Sequence, residues 1–120
     1  MHIHSKAITD SAKGERCTLR IPGYCTCDRT TTVFCHFDDI SHGMTLKSHD
    51  IIGAYGCVSC HDIIDRRNMK IDPETKANLE KYKRFALQLT IIRMIEKGLI
   101  TVKQNRPKRS KAIARPKEKL

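Results

Sequence analysis

The stretch Gly56-Cys57-Val58-Ser59-Cys60-His61-Asp62 constrains this chain more than any other part of its sequence. Two cysteines separated by two residues let a turn that enters a helix wrap one metal ion, and thiolates are common ligands of structural zinc. Such a site takes four ligands, so Cys57 and Cys60 supply half of it and the other two must lie upstream. His61 is held in place by the same turn and is a candidate ligand for a second ion.

The other half of the site must come from four upstream cysteines, which are Cys17, Cys25, Cys27 and Cys35. We favour Cys17 and Cys25, because they flank a Pro-Gly turn signal and can face one point from the two arms of a hairpin. Cys27 is the main alternative to Cys25, through a Cys25-x-Cys27 knuckle. A further alternative is a site of three thiolates and one imidazole, in which His61 replaces a cysteine.

Cys35 is predicted to have a different role. It adjoins His36 on a predicted strand, so the two side chains point to opposite faces. We expect Cys35 to be a small buried hydrophobic residue. The predicted structural cofactor is Zn²⁺, and its favoured ligands are Cys17, Cys25, Cys57 and Cys60.

The charge of the chain is concentrated in its second half. The formal net charge is +10 over 120 residues. Residues 1–65 carry 6 lysines and arginines against 8 acidic residues, whereas residues 66–120 carry 17 against 5. A basic half of this size predicts a polyanionic partner, most often nucleic acid. The simpler alternative is a solvated helix followed by a solubilising tail.

Length and hydropathy predict one domain and no membrane span. A chain of 120 residues favours a single domain with a modest core, which a metal would help to stabilise. No apolar run reaches about 18 residues, and the first residues contain no apolar signal segment. We therefore expect a cytoplasmic protein, in which six cysteines indicate metal binding rather than disulfides.

Local patterns predict several short elements before residue 70. Residues 1–13 are expected to be flexible, with His2 and His4 in a frayed terminus. Short strands are predicted at 16–21 and 30–37, and a second strand or apolar extended run at 51–56. A helix is predicted from Val58 to about Arg67.

A long helix is predicted to begin at Asp72-Pro73-Glu74, which combines an N-cap residue, a first-turn proline and an acidic first turn. Gly98 ends it, so the predicted helix covers residues 73–97. Its apolar stripe is predicted to be core or a homodimer face, and its members are Leu79, Tyr82, Phe85, Ala86, Leu89, Ile92 and Ile95. Residues 99–102 are predicted to be a short strand or extended segment, and 103–120 a basic disordered tail.

Two histidines are candidates for catalysis. His36 lies near the end of a predicted strand and His61 follows the cysteine turn, so a metal-pinned core could bring both into one cleft. Phosphodiester hydrolysis requires a base, a divalent metal and a positive surface for the backbone. An unperturbed histidine titrates near neutral pH, so His36 is the candidate base. His61 is the candidate ligand of Mg²⁺ or another divalent metal.

These motifs resemble the HNH, or ββα-metal, nuclease superfamily, and within it the small prophage-encoded YbcO-like nucleases. The matching segments lie between residues 14 and 70, and they are Arg16-Cys17, Ile21 to Cys25, Val33 to His36 and Cys57 to Arg67. The resemblance implies an α+β fold, with a small zinc-stapled, treble-clef-like ββα core in a single domain of residues 14–102. The long amphipathic helix and the basic tail lie outside the motif.

The resemblance also implies roles for individual residues. His36 matches the general-base histidine, His61 the histidine that binds the catalytic metal, and the four cysteines match the structural zinc ligands. Two positions depart from the pattern: Cys35 stands where many HNH enzymes have an acidic metal ligand, and Asp50 stands nearest to the middle asparagine. His42, Asp39 and Asp65 are candidates to complete the metal site, and His42 is the best of them because a His-Gly pair in a long loop can reach a cleft.

Two functions follow from these interpretations. The first is a metal-dependent endonuclease of phage or prophage origin that hydrolyses DNA during DNA processing or recombination. The alternative is a non-catalytic zinc module that binds nucleic acid through its basic half. The first requires hydrolysis that depends on His36, and the second requires only salt-dependent binding.

Overall fold

The computed structural model describes residues 2–37, 49–65 and 70–105, which form an α+β fold with a two-stranded sheet and one long helix. This confirms the predicted fold class at that level. In chain order the elements are helix α1 (Lys6–Asp10), a 3-10 turn (Arg29–Thr31), strands β1 (Val33–His36) and β2 (Gly53–Gly56), and helices α2 (Val58–Ile64) and α3 (Pro73–Glu96). None of the helices in this described part has the length and apolar character that a membrane crossing requires.

The sheet is an antiparallel hairpin in which His36 lies opposite Gly53 and Val33 lies opposite Gly56. Both strands were predicted, but β1 is shorter than residues 30–37. Asp28 accepts hydrogen bonds from the amide and hydroxyl of Thr30, and this cap starts a 3-10 turn instead of strand. A Cβ atom on Gly56 would lie 2.7 Å from the sulfur of Cys35, so a glycine is needed for close packing there.

The hairpin separates two groups of buried side chains. On one face Phe34 and Tyr55 pack with residues of α1 and α3, in a cluster that also contains Ile8, Ala12 and Met94. On the other face Cys35 and Ala54 pack with α2 and the upstream cysteines, in a cluster that also contains Cys17, Leu19, Ile21, Phe37, Cys57, Cys60, Ile63 and Ala86. Since side chains alternate along a strand, His36 shares the face of Phe34 and not that of Cys35.

Helix α3 begins where the sequence predicted. The Asp72 carboxylate accepts a hydrogen bond from the Thr75 amide at 3.0 Å, and Pro73 occupies the first turn. The hydroxyl of Tyr24 donates to the same carboxylate at 2.8 Å, which fixes the helix start beside the Pro-Gly turn. The helix ends at Glu96, one residue earlier than predicted, and Gly98 adopts a φ of 77° that favours glycine.

The buried stripe of α3 differs from the predicted one. The buried residues are Thr75, Ala86, Thr90 and Met94, whereas Phe85 and Ile92 of the predicted stripe are about half exposed. A hydropathy pattern does not predict that Thr90 is buried, because threonine is polar. Its hydroxyl accepts a hydrogen bond from the Tyr55 amide at 3.2 Å and lies 3.1 Å from the Thr18 hydroxyl. A buried hydroxyl with hydrogen-bond partners is compatible with a core position, so the helix turns that face inward.

The N-terminal segment is also more structured than predicted. Instead of a flexible segment at residues 1–13, the structure has α1, which is capped by the Ser5 side chain and buries Ile8, and Ala12 just after the helix is buried too. The hydroxyl of Ser11 lies 2.7 Å from that of Tyr55, so this segment is tied to β2. The apolar residues of a helix this short give too little periodic signal to predict it.

Two further segments form no strand in the described residues: the predicted strand at 16–21, and residues 99–102, where a short strand or an extended segment was predicted. Residues 16–21 form no strand, because Arg20 adopts a φ of 43°, which ends an extended run. Residues 99–102 also form no strand, although Leu99 and Ile100 pack against the cluster that contains Met94. Of the predicted tail, residues 103–105 are exposed coil and residues 106–120 lie outside the described residues.

A pair of alanine variants tests which face of α3 is buried. We expect Met94→Ala to lower the free energy of unfolding by about 2–5 kcal/mol, because it removes a fully buried side chain and leaves a cavity. Ile92→Ala, on the exposed face of the same helix, should change it by about 0.5 kcal/mol or less. Urea unfolding measures both, and a larger loss from Ile92→Ala would contradict this packing.

Candidate metal centre and histidine sites

Four thiols that the sequence analysis selected lie together in the structure. Their sulfur atoms are all within 4.8 Å of one another, and they belong to Cys17, Cys25, Cys57 and Cys60. Within the described ranges, no other group of three or more His, Cys, Asp or Glu side chains is arranged to hold a metal ion. The sulfurs of Cys25 and Cys57 are 3.8 Å apart. A tetrahedron with metal–sulfur bonds of about 2.3 Å has edges of about 3.8 Å, so the cluster fits a zinc ion.

Two local turns bring these thiols together. Cys57 precedes the first residue of α2 and Cys60 lies in its first turn, so both face the same side. Upstream, the amides of Tyr24 and Cys25 donate to the Ile21 carbonyl, at 3.1 and 2.9 Å, and this tight turn carries Cys25 back toward Cys17. The cluster therefore ties the segment of residues 17–25 to the junction between β2 and α2.

The thiols of the cluster shift one another's pKa values. A hydrogen bond from the Cys60 thiol lowers the pKa of Cys17 to about 4. The same bond raises the pKa of Cys60, and burial raises the pKa of Cys25 to about 12. Burial opposes ionisation of Cys57, but backbone hydrogen bonds outweigh it, and its pKa is lowered too. Protons are thus held most firmly by the thiols whose pKa is raised. A divalent cation would replace those protons, because metal ligation requires the thiolate form.

The remaining two cysteines lie outside this group. Cys27 is exposed, and its sulfur lies 3.8 Å from that of Cys25, beyond the cluster of four. The geometry thus favours Cys25 over Cys27 as the fourth member. Cys35 is fully buried, as predicted, and burial raises the pKa of its thiol. It faces the core, on the opposite face of β1 from His36.

His36 is held by a buried carboxylate that the site prediction did not include. Its Nε2 atom lies 2.8 Å from Oδ1 of Asp50, and the side chain of Asp50 is only 7% exposed. The ring of His36 also contacts the ring of Phe34 edge-on, with centroids 5.1 Å apart. Burial opposes the charge of Asp50, but hydrogen bonds from His36 and from the Ser5 amide outweigh it, and the pKa of Asp50 lies below its ordinary value.

The N-terminus covers the other side of Asp50. Oδ2 of this carboxylate accepts from the Ser5 amide at 2.7 Å and lies 3.0 Å from Nδ1 of His4. The Asp50 amide in turn donates to the Ile3 carbonyl at 2.8 Å. His4 was predicted to lie in a frayed terminus, and these contacts show otherwise. They join residues about 45 positions apart, and no local pattern in the sequence indicates such a pairing.

His61 has a different acidic neighbour. Its Nε2 atom lies 3.1 Å from Oδ2 of Asp65, one turn further along the chain. This is the separation of an imidazole–carboxylate hydrogen bond, and neighbouring ligands of one ion with bonds of about 2.1 Å lie about as far apart, at about 3.0 Å. Among the described contacts none joins His61 to His36, so the shared cleft stays a prediction. His42 and Asp39 lie outside the described residues.

Comparison with known proteins gives a family and a similar structure. The family model described as "Putative nuclease YbcO" matches residues 6–98. Two relatives are each 38% identical over 63 residues: Putative nuclease YbcO of Escherichia coli strain K12, and Putative nuclease ybcO of Enterobacteria phage 82. The match covers 52% of this chain and 66%, just under two thirds, of each relative.

One solved structure is also similar. It is described as the structure of a putative bacteriophage protein from Escherichia coli str. K-12 substr. MG1655. The two chains are 28% identical and superpose with a TM-score of 0.58. The superposition covers 75% of this chain and 98% of the other.

Proposed function

The chain belongs to the YbcO family, and from that premise we propose that it is a metal-dependent nuclease of the HNH (ββα-metal) type that hydrolyses phosphodiester bonds in DNA. The observation that carries this proposal is an imidazole at the end of β1 that is hydrogen-bonded to a buried carboxylate, within a strand–strand–helix unit closed by four thiols. The names of the relatives, one of them from a phage, support phage or prophage DNA processing as the setting. We place the activity in the cytoplasm, where thiols stay reduced.

The proposed role of His36 is that of general base. A carboxylate can only accept hydrogen bonds, so the neutral imidazole donates its Nε2–H to Asp50 and keeps a lone pair on Nδ1. The side chain of His36 is 41% exposed, so that lone pair can reach a water molecule. When Nδ1 takes a proton from this water, the charge of Asp50 stabilises the imidazolium that forms. Asp50 thus orients the base.

The proposed role of His61 is to hold a divalent metal together with Asp65. Their two ligand atoms already lie at the separation of neighbouring ligands, one turn apart at the C-terminal end of α2. When bound, Mg²⁺ or a similar ion supplies the positive charge that stabilises the phosphate and the leaving oxygen. His42, which lies between the two strands in sequence but outside the described residues, is proposed as a further ligand. This mechanism requires His61 and His36 to act on the same phosphate.

The four thiols have a structural role in this proposal. Zn²⁺ held by Cys17, Cys25, Cys57 and Cys60 would join both halves of the core and leave no open position for substrate. The nucleic acid would then be held by other parts of the protein, and the basic second half is one of them. Residues 66–120 carry 17 lysines and arginines against 5 acidic residues, which favours a phosphate backbone as partner.

A second function, a zinc module that binds nucleic acid without cleaving it, is favoured by one specific observation. Cys35 occupies the position of the acidic metal ligand, and it is fully buried on the face of β1 opposite His36. It therefore cannot bind an ion beside His36. This second function predicts binding that weakens with salt, and no hydrolysis with any metal.

Plasmid nicking separates the two functions. We expect the full chain to convert supercoiled plasmid to open circles when Mg²⁺ or Mn²⁺ is added. His61→Ala should reduce this activity at least tenfold, with part of the loss recovered at higher metal concentration, because one ligand is removed. Binding without nicking at any metal concentration would instead establish the second function.

A further inference from the structure

A shallow groove runs between α3 and the segment that carries Cys17. Its floor is apolar and is made by residues of α3, which are Tyr82, Phe85, Leu89 and Ile92. Phe85 and Ile92 are 47% and 48% exposed. Thr18 and Arg20 line both halves of the groove, which makes the two halves continuous. A contiguous exposed apolar surface of this kind indicates an interaction site.

The rim of the groove is formed by three arginines. Arg16, Arg20 and Arg29 line adjoining recesses, and all three are exposed. In the described part of the chain none of them pairs with a carboxylate. Nε of Arg20 donates to the Cys17 carbonyl at 3.2 Å, and Nε of Arg29 donates to the Gly14 carbonyl at 3.0 Å. The anchored guanidinium groups keep their outer N–H groups for a ligand, and this pair of donors matches a phosphate.

Arg20 is held in an unusual conformation. Its φ of 43° is uncommon for a residue other than glycine. The turn is stabilised by its own amide, which donates to the sulfur of Cys17 at 3.4 Å. Such backbone conformations concentrate at functional sites. The thiol cluster therefore positions one end of the groove as well as the core.

The floor and rim together carry a positive charge. Lys81 and Arg84 lie over the ring of Phe85, at 6.0 and 5.7 Å from its centroid. The acidic residues of the groove are already paired. Glu15 accepts from Arg93 and Lys97, and Glu96 accepts from Arg93. The unpaired charges that face an occupant are thus cationic.

We infer that this groove binds single-stranded nucleic acid, with phosphates on the three arginines and a base stacked on Phe85. Cationic side chains can bind the phosphates of a single strand, and an aromatic, apolar floor can stack with its bases. In a duplex the bases are already paired and stacked on one another, so they do not reach such a floor. A symmetric second copy is disfavoured, because it would bring the same cationic rim against itself. The basic segment 103–120 has the same sign of charge. A single strand is then the substrate class of the proposed nuclease. Cleavage of that strand rests on the proposed function, whereas binding in the groove does not.

Fluorescence anisotropy tests the inference with the full-length chain and no added Mg²⁺, so that binding is separated from hydrolysis. The probes are an oligothymidine of about 20 nucleotides and a duplex of the same length, which exceed the roughly 4–16 nucleotides that a single-strand-binding domain typically covers. We expect the single strand to bind at least tenfold more tightly. Phe85→Ala should weaken it about tenfold, Phe85→Leu nearly as much, and Phe85→Tyr should restore it, because stacking needs the ring.

Charge variants test the rim. Arg29→Gln should weaken binding and reduce the slope of log affinity against log salt by about 0.7, the value for one phosphate contact on a single strand. Lys76→Gln, an equal charge loss at an exposed position of α3 outside the groove, should leave the affinity of the single strand within about twofold. Thermal melting of each variant confirms that it is folded.

Three outcomes would overturn the inference. They are equal binding of duplex and single strand with no effect of Phe85→Ala, displacement of the oligonucleotide by polyglutamate at equal charge concentration, and a concentration-dependent dimer that Phe85→Ala dissociates. The nuclease proposal is tested separately by nicking. If the chain binds the single strand through Phe85 but never cleaves DNA, the result supports binding in the groove and contradicts the proposed nuclease activity.

Discussion

Cys57→Ser should abolish the cooperative unfolding transition of this protein, and a strong zinc chelator should do the same to the unaltered chain. Cys57 has no exposed surface and lies at the junction of β2 and α2, where its sulfur is 3.8 Å from that of Cys25. Structural zinc contributes about 10–16 kcal/mol in small zinc domains. That is as large as the whole stability of a typical domain, about 5–15 kcal/mol, so its loss should leave the chain without a stable core.

Cys27→Ser is the matched control for this experiment. Cys27 also has its sulfur 3.8 Å from that of Cys25, but it is exposed and lies outside the group of four. Its replacement should leave both the zinc content and the melting temperature nearly unchanged. Circular dichroism and metal analysis measure the two variants. A folded, zinc-loaded Cys57→Ser protein, or loss of zinc in Cys27→Ser, would reject this ligand set.

His36→Ala should lower the nicking rate by about 10²–10⁴-fold, the usual contribution of general acid–base catalysis. The fold and zinc content should remain, because the side chain of His36 is 41% exposed. Asp50→Asn should also slow nicking, since an amide can present its N–H₂ group to the imidazole and favour the wrong tautomer. His2→Ala, whose ring stacks on those of His4 and His49, should leave the rate within about twofold. Unchanged nicking by His36→Ala would remove it from the mechanism.

Asp50 should also make stability depend on pH. Its pKa in the folded state lies below the ordinary value of 3.8. The unfolded state therefore binds the proton more tightly, so this contribution is complete at neutral pH, declines as the pH falls below the ordinary value, and is gone below the folded-state pKa. Asp50→Asn should be less stable than the parent at pH 7, and the difference should shrink at acid pH. Urea unfolding at several pH values measures this.

The parts of the structure that the sequence predicted are those with local signals. The start of α3 at Asp72 depends on residues within one turn, and the spacing of Cys57 and Cys60 fits a single turn of helix. Cys17 and Cys25 could be chosen as the other two ligands from a local signal as well, because they flank a Pro-Gly turn. The structure brings these thiols together, although the predicted strand at 16–21 is not there.

The parts that the sequence did not predict depend on distant contacts. Thr90 is buried because Tyr55 and Thr18 supply its hydrogen-bond partners, and these residues are 35 and 72 positions away. Asp50 is important because His36 and the N-terminus converge on it. Periodicity on α3 indicated an apolar stripe but could not show which side of that stripe the hairpin would cover.

The N-terminus has a practical consequence for how the protein is produced. Ser5 and His4 bond to the carboxylate that also holds His36, and Ile3 is hydrogen-bonded to His49 at 2.9 Å. A polyhistidine tag fused ahead of residue 2 would place additional imidazoles beside Asp50, where they could compete for its oxygens and capture metal ions. Affinity tags therefore belong at the other end of the chain, and kinetic results from N-terminally tagged protein should be compared with those from cleaved protein.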